Sequence, residues 1–161
     1  MKSILLTATT LLLLLSCQER ESLTRPLPDT QVIVHEKAVF HESHEATKKN
    51  APFSDLVQVG NMYFLSGQIG MDQKKRTLVS GGITAETTQT LENIKDVLAQ
   101  HDMDMSNVVK ALVILDDIED FKAFNDVYVT YFPQKPARTT FAAEALAAGA
   151  SIEIEVIAIK N

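Results

Sequence analysis

Three side chains near the end of the chain carry most of the chemistry this sequence offers: Arg138, Glu153 and Glu155. Arg138 is one of four arginines, and the other three (Arg20, Arg25 and Arg76) sit in polar or leader-proximal segments. It lies in "KPARTTF", behind Pro136-Ala137 and ahead of a run of small residues. A guanidinium is always charged, and its planar fork can grip a carboxylate with two hydrogen bonds. In "SIEIEV" the two glutamates alternate with Ile152, Ile154 and Val156. On a strand both carboxylates then share one face, roughly 6.5–7 Å apart. A glutamate beside such an arginine can hold a water and take its proton. The same pattern suits a half-exposed strand with a polar outer face, and Arg138 suits a structural salt bridge as well as an anion clamp. The apolar run Val156-Ile157-Ala158-Ile159 marks the glutamate strand as central, and Arg138 opens the preceding candidate strand. Pairing of those two strands would bring Arg and Glu to one wall.

Other chemistries have less support. His41 and His44 in "HESHE" have a spacing that could hold a metal on a helix, but the segment also reads as the end of a strand. His35 and His101 are isolated, so a solvated polar segment is expected here and no metal site. There is no GxGxxG, P-loop or GxSxG motif. The formal net charge of −6 argues against nucleic acid or an anionic surface as partner, and with no Trp and 6% aromatics there is no stacking platform for bases.

The elements that must position these residues are legible from periodicity. "FSDLVQVGNMYFLSGQIG" reads as two strands joined at Gly60-Asn61, followed by a charged turn, "DQKKRT". A helix is expected from an N-cap at Thr84, with Glu86 in its first turn, to about His101. Leu91, Ile94, Val97 and Leu98 form its apolar stripe. "SNVVKALVILDDI" reads as a buried strand. Asp116 or Asp117 caps a second helix bearing Phe121, Phe124, Tyr128 and Tyr131, and Pro133 ends it. "ARTTFAAEA" and "SIEIEVIAIK" complete the strands, and "QVIVHEKAVFHE" supplies an edge strand. This order makes an α+β mixed sheet with two helices on one face. Its other face is then left for partner subunits to cover.

The first 16 residues read as a signal peptide, with an apolar run from Ile4 to Leu15 too short to span a bilayer comfortably. "LLSC" resembles a lipobox, which makes Cys17, the sole cysteine, the expected lipidation site. Residues 17–36, with Pro26 and Pro28, read as a tether and residues 37–161 as the domain. The expected location is outside the cytoplasm, on a lipid anchor in the periplasm or at the cell surface. No cysteine then remains for thiol catalysis in the mature domain.

"APFSDLVQVGNMYFLSGQIGMD", "TLENIKDVLAQHDMDMSNVVKALVILDDIEDFKAFNDVYVTYF", "PAR" and "IEIEVIAI" together resemble the Rid (YjgF) family, the reactive-intermediate imine deaminases. The resemblance runs in order from about Phe40 to the C-terminus. It implies a chorismate-mutase-like fold and a homotrimer with an inner barrel, helices outside and sites in the clefts between subunits. It implies cofactor-independent, RidA-like hydrolysis of 2-imino acids, such as 2-iminobutanoate and 2-iminopropanoate, and their enamines to 2-keto acids and ammonia. It assigns the carboxylate anchor to Arg138 and the water-holding base to Glu153, and puts Ser66, Gly67, Gln68 and Asn125 at the pocket. Phe53 stands where many members carry a pocket Tyr, Thr140 where some carry Cys, and "EALAAGAS" lacks a frequent Pro and basic residue. A non-catalytic carboxylate binder on the same trimer is the alternative, and a tethered metal binder using "HESHE" a third.

Overall fold

The structure is a computed structural model that describes residues 36–161. The expected leader (1–16), Cys17, the tether up to residue 35 and His35 lie outside the described residues. Among those described, no helix is long and apolar enough to cross a membrane.

Six strands form one mixed sheet: β1 (Val39–His41), β2 (Leu56–Val59), β3 (Met62–Ile69), β6 (Val108–Leu115), β7 (Ala137–Ala142) and β8 (Ile152–Ile159). Their order is β1-β2-β3-β8-β6-β7. The β2–β3 hairpin turns at Gly60-Asn61, as the sequence suggests. Every pairing is antiparallel except β6–β7, whose parallel register needs a crossover. The crossover is α2 (Phe121–Tyr131). The other helix, α1 (Gly82–Ala99), lies on the same face and contacts β3, β8 and α2. A short hairpin, β4 (Met71–Asp72) with β5 (Thr77–Leu78), occupies the segment read as a charged turn.

The core lies between the sheet and the helices. Ile152, Ile154, Val156 and Ala158 of β8, and Ala111, Val113 and Leu115 of β6, are buried against Leu91, Ile94, Val97 and Leu98 of α1 and Phe124 and Tyr128 of α2. Period-two alternation on the strands and period-3.6 stripes on the helices meet there, as the sequence patterns require. The opposite sheet face exposes Met62 and Phe64 of β3, with Val59 and Phe141 also open.

Two helix starts differ from expectation. The N-cap of α1 is Gly81, not Thr84, so Glu86 falls beyond the first turn. There it is buried and accepts from the backbone N–H and hydroxyl of Ser151 at 2.8 and 2.9 Å. Asp117 caps a single 3-10 turn, Ile118–Asp120, which leads into α2.

Helix α1 also fixes the end of β3. Asn93 donates to the carbonyls of Ile69 and Met71 at 3.0 and 2.9 Å, gripping the chain on both sides of Gly70. A Cβ at Gly70 would lie 2.6 Å from Glu86 Cβ and 2.7 Å from its Cα. Backbone atoms cannot step aside cheaply, so Gly70→Ala should destabilise the fold by about 2 kcal/mol or more, measurable as a lower urea midpoint. An unchanged midpoint would show that the strand end does not seat on the helix this closely.

Candidate active site

Glu153 stands on β8 between Ile69 of β3 and Ile114 of β6. Glu155, two residues on, shares its face, and β8 is central, both as expected. Strand β3 carries one extra residue between Leu65 and Gln68 relative to β8, a bulge at Ser66-Gly67. The bulge brings the Gly67 backbone under the Glu153 carboxylate. A Cβ on Gly67 would overlap Glu153 Oε1 and lie 2.8 Å from Cδ. Burial, and secondarily the nearby Glu155 charge, push the Glu153 carboxyl above its ordinary range. It has no ion-pair or side-chain hydrogen-bond partner among the described residues, so both oxygens are available to a ligand.

The cleft over Glu153 has a volume of about 290 Å³, and its walls include Lys48, Phe53, Gly67, Gln68 and Arg76. Phe53 is exposed at its edge, while Gln68 is buried and donates to the Ser66 carbonyl at 3.1 Å. Lys48 is held 3.3 Å from Asp55, with side chains only 12% and 8% exposed, and reaches Gln68 Oε1 at 3.4 Å. Ser66 has a supporting role: its hydroxyl donates to the Ser54 carbonyl at 2.7 Å and its N–H to that of Asp55 at 3.0 Å, pinning the loop that carries Phe53.

Arg138 forms a second centre. Its Nη1 donates to Asn125 Oδ1 at 2.9 Å, and its guanidinium carbon lies 4.6, 5.2 and 5.7 Å from the ring centres of Tyr128, Phe124 and Phe121. This cation–π stack orients the fork without neutralising it. Among the described residues no carboxylate pairs with Arg138, so the salt-bridge alternative is not formed. Thr140 sits two residues along β7, and its buried hydroxyl has no partner among the described residues.

The expectation that one wall holds both charges fails within a single chain. β7 pairs with β6, not with β8. Arg138 is opposite Ala111 on β6, while Glu153 is opposite Ile114. Positions 111 and 114 point to opposite faces, so Arg138 joins the helix layer and Glu153 the open side. The expected site residues therefore fall into two groups: Arg138, Asn125 and Thr140 on the helix side, and Glu153, Gly67 and Phe53 at the cleft on the other, while Gln68, opposite the buried Ile154, turns towards the helix layer and also lines the cleft.

The histidines also gather differently. His101 is not isolated: its ring centre lies 4.6 Å from that of His41 and 6.5 Å from that of His44. Desolvation, then the two other histidines, hold it below its ordinary pKa. Among the described residues no group of three or more His, Cys, Asp or Glu is placed to hold a metal. Lys48 and Arg76 are the basic residues of the cleft, and sequence reasoning missed both. "DQKKRT" reads only as a turn, and nothing in its spacing points to Glu153.

Residues 43–160 match the family described as Endoribonuclease L-PSP. A 2-iminobutanoate/2-iminopropanoate deaminase from Capra hircus is 46% identical over 111 residues, which cover 68% of this chain and 81% of the relative. Among solved structures, a protein of the conserved Rid family from Yersinia pestis superposes with a TM-score of 0.72 at 32% identity, covering 77% of this chain and 100% of its own. The YjgF gene product of E. coli gives 0.70 at 28%, covering 76% and 99%. The α+β sheet with two helices is the fold those structures share.

A carboxyl whose pKa rises on folding disfavours its own ionisation. Its protonated form is fully accommodated at low pH, and the associated stability is lost as pH rises through the folded-state value. Glu153→Gln should therefore raise the melting temperature at pH 7, and the gain should shrink below about pH 4.5, the ordinary value for the group. Thermal melts across that range test this. A variant that melts below wild type at neutral pH would mean the carboxylate is compensated after all.

Proposed function

The chain belongs to the Endoribonuclease L-PSP (Rid/YjgF) family, and from that footing we propose that it hydrolyses 2-imino acids and their enamine tautomers to 2-keto acids and ammonia. The observation that carries this reading is the Glu153 carboxylate, raised in pKa, seated on bare backbone and without a protein partner. A general base works best when its pKa approaches the working pH, and partial burial moves Glu153 that way.

In this mechanism Arg138 holds the substrate carboxylate with its fork. Glu153 orients a water against C2 of the protonated imine and takes one proton as the C–O bond forms. The same carboxyl returns that proton to nitrogen; as the C–N bond breaks, the carboxylate takes the hydroxyl proton, the C=O bond forms, and ammonia leaves and carries that proton off as ammonium, with the keto acid behind. The imine is intrinsically reactive, so orientation and proton transfer are what the site must add. Because the two groups of residues occupy opposite faces of one chain, the complete site is taken to form where Arg138 of one copy meets Glu153 of another. The apolar open face of the sheet supports an assembly of this kind, a homotrimer in our reading. A nuclease role, which the family description names, gains no support from a chain of net charge −6 without a stacking platform.

One observation favours a second reading, a carboxylate-binding protein without turnover. Arg138 is already stacked on three rings, and an anchor so held suits a static ligand as well as a reacting one.

Ammonia release from imines generated by an amino-acid oxidase tests the proposal. Wild type should exceed buffer clearly, Glu153→Ala should lose about 100-fold or more, and Arg138→Ala about 10- to 100-fold. A wild type no faster than buffer would end the deaminase reading, and keto-acid binding without turnover would establish the second one. Full activity in Arg138→Ala would remove the anchor role. Light scattering should give three times the chain mass, whereas a monomer that is active would contradict the shared site.

A further inference from the structure

The cleft over Glu153 contains a cation that hydrolysis of a monocarboxylic imine does not use. Two basic side chains line it, Lys48 and Arg76. Lys48 is matched internally by Asp55 at 3.3 Å. Arg76 is not: its Nη1 donates to the neutral Gln73 Oε1 at 2.9 Å, and no carboxylate pairs with it among the described residues. Gln73 lines the same cleft. Arg76 is therefore steered by a neutral partner that leaves its charge and remaining N–H groups free.

The backbone beneath Arg76 is built with some care. It adopts φ +58°, the left-handed region, where an L side chain costs roughly 1–2 kcal/mol. Asp72 fixes the turn, its carboxylate accepting from the N–H groups of Lys74 and Lys75 at 3.0 Å each and its carbonyl from that of Arg76 at 2.8 Å. A glycine would fit this turn without strain. An arginine there, at the margin of a cleft it lines, points to a use for the side chain. The wall formed by Ala147 and Ala148 adds neither charge nor bulk, which leaves room for a substrate longer than a three- or four-carbon imino acid.

We propose that Arg76 binds a second, distal carboxylate, so that the favoured substrates are imines of dicarboxylic amino acids, of the 2-iminosuccinate and 2-iminoglutarate class. This rests on the deaminase reading. Arg138 holds the carboxylate next to the imine carbon, Glu153 works on that carbon, and Arg76 selects the far end of the chain. The reaction itself is unchanged: water adds at C2, ammonia leaves, and a 2-keto dicarboxylate results. Arg76 thus sets specificity and takes no part in proton transfer.

The test compares kcat/KM of the full chain for 2-iminosuccinate and 2-iminoglutarate, generated by oxidases acting on aspartate and glutamate, with that for 2-iminobutanoate. Wild type should prefer the dicarboxylic imines by about tenfold or more, the worth of one charge-assisted hydrogen bond. In Arg76→Gln that ratio should fall about tenfold, with Arg76→Lys between the two. Arg76→Gly should lose the ratio as Gln does while melting higher than wild type, since it relieves the left-handed strain. A purely structural arginine would not separate those two readouts. Wild type that turns over 2-iminobutanoate equally well overturns the proposal and leaves the deaminase reading standing. So does an Arg76→Gln variant that slows both classes alike or changes the oligomeric mass. Inactivity towards every imine removes both readings together.

Discussion

Strand β8 is hydrogen-bonded along both edges, and the rest of the molecule is arranged around that fact. A strand in the middle of a sheet cannot slip by one residue without turning every side chain to the other face. Ile152, Ile154, Val156 and Ala158 are buried against the helices, so Glu153 and Glu155 must point the other way. The position of the candidate base is thus set by core packing on the far side of the sheet. Apolar burial of this kind contributes about 1.5–3 kcal/mol per large side chain, far more than any polar contact near Glu153 could oppose.

Around that strand, the polar contacts of the core serve to hold backbone. Glu86 ties the segment before β8 to α1 through Ser151, and Asn93 ties the end of β3 to the same helix. The two ties fix both strands that flank the Gly67 bulge. The buried Lys48–Asp55 pair and the Ser66–Ser54 hydrogen bond then fasten the 48–55 segment beside it. Breaking one partner of a buried pair leaves an uncompensated charge, which is costly even where the intact pair adds little. The cleft is therefore rigid on the side where the carboxylate sits, and its exposed residues, Phe53 and Arg76, lie at its margin.

What could be read in the sequence follows the range of the interaction. The alternation in "SIEIEV", the Gly60-Asn61 hairpin and the stripe Leu91-Ile94-Val97-Leu98 are local, and each is found as expected. The central place of β8 was also legible, because a strand apolar on both faces beyond Glu155 needs neighbours on both sides. The fold class followed from the order of these elements, and the family resemblance carried the rest of the architecture. Contacts between distant segments were not legible. Arg138 and Glu153 were expected on one wall because their strands are consecutive, but β6 intervenes and the register turns them apart. His101 looked isolated because His41 is 60 positions away in the chain, yet their rings touch edge to face. Thr84 was expected to cap α1 on type alone, whereas the helix starts at Gly82 behind Gly81, whose φ of +122° is open to glycine. The Lys48 and Arg76 side chains reach the cleft only through a salt bridge and a left-handed turn that no spacing rule reports.

The bulge at Ser66-Gly67 has a consequence for how this position tolerates change. Gly67 contributes no functional group, and no step of the proposed chemistry passes through it. Yet every other residue type brings a Cβ into the space that the Glu153 carboxylate occupies. That carboxylate is the far end of a flexible side chain, so a substitution at position 67 would leave the fold intact and turn the glutamate away from its seat. Importance at a site of this kind cannot be ranked by reactivity: a residue unable to react decides where the one that reacts is placed.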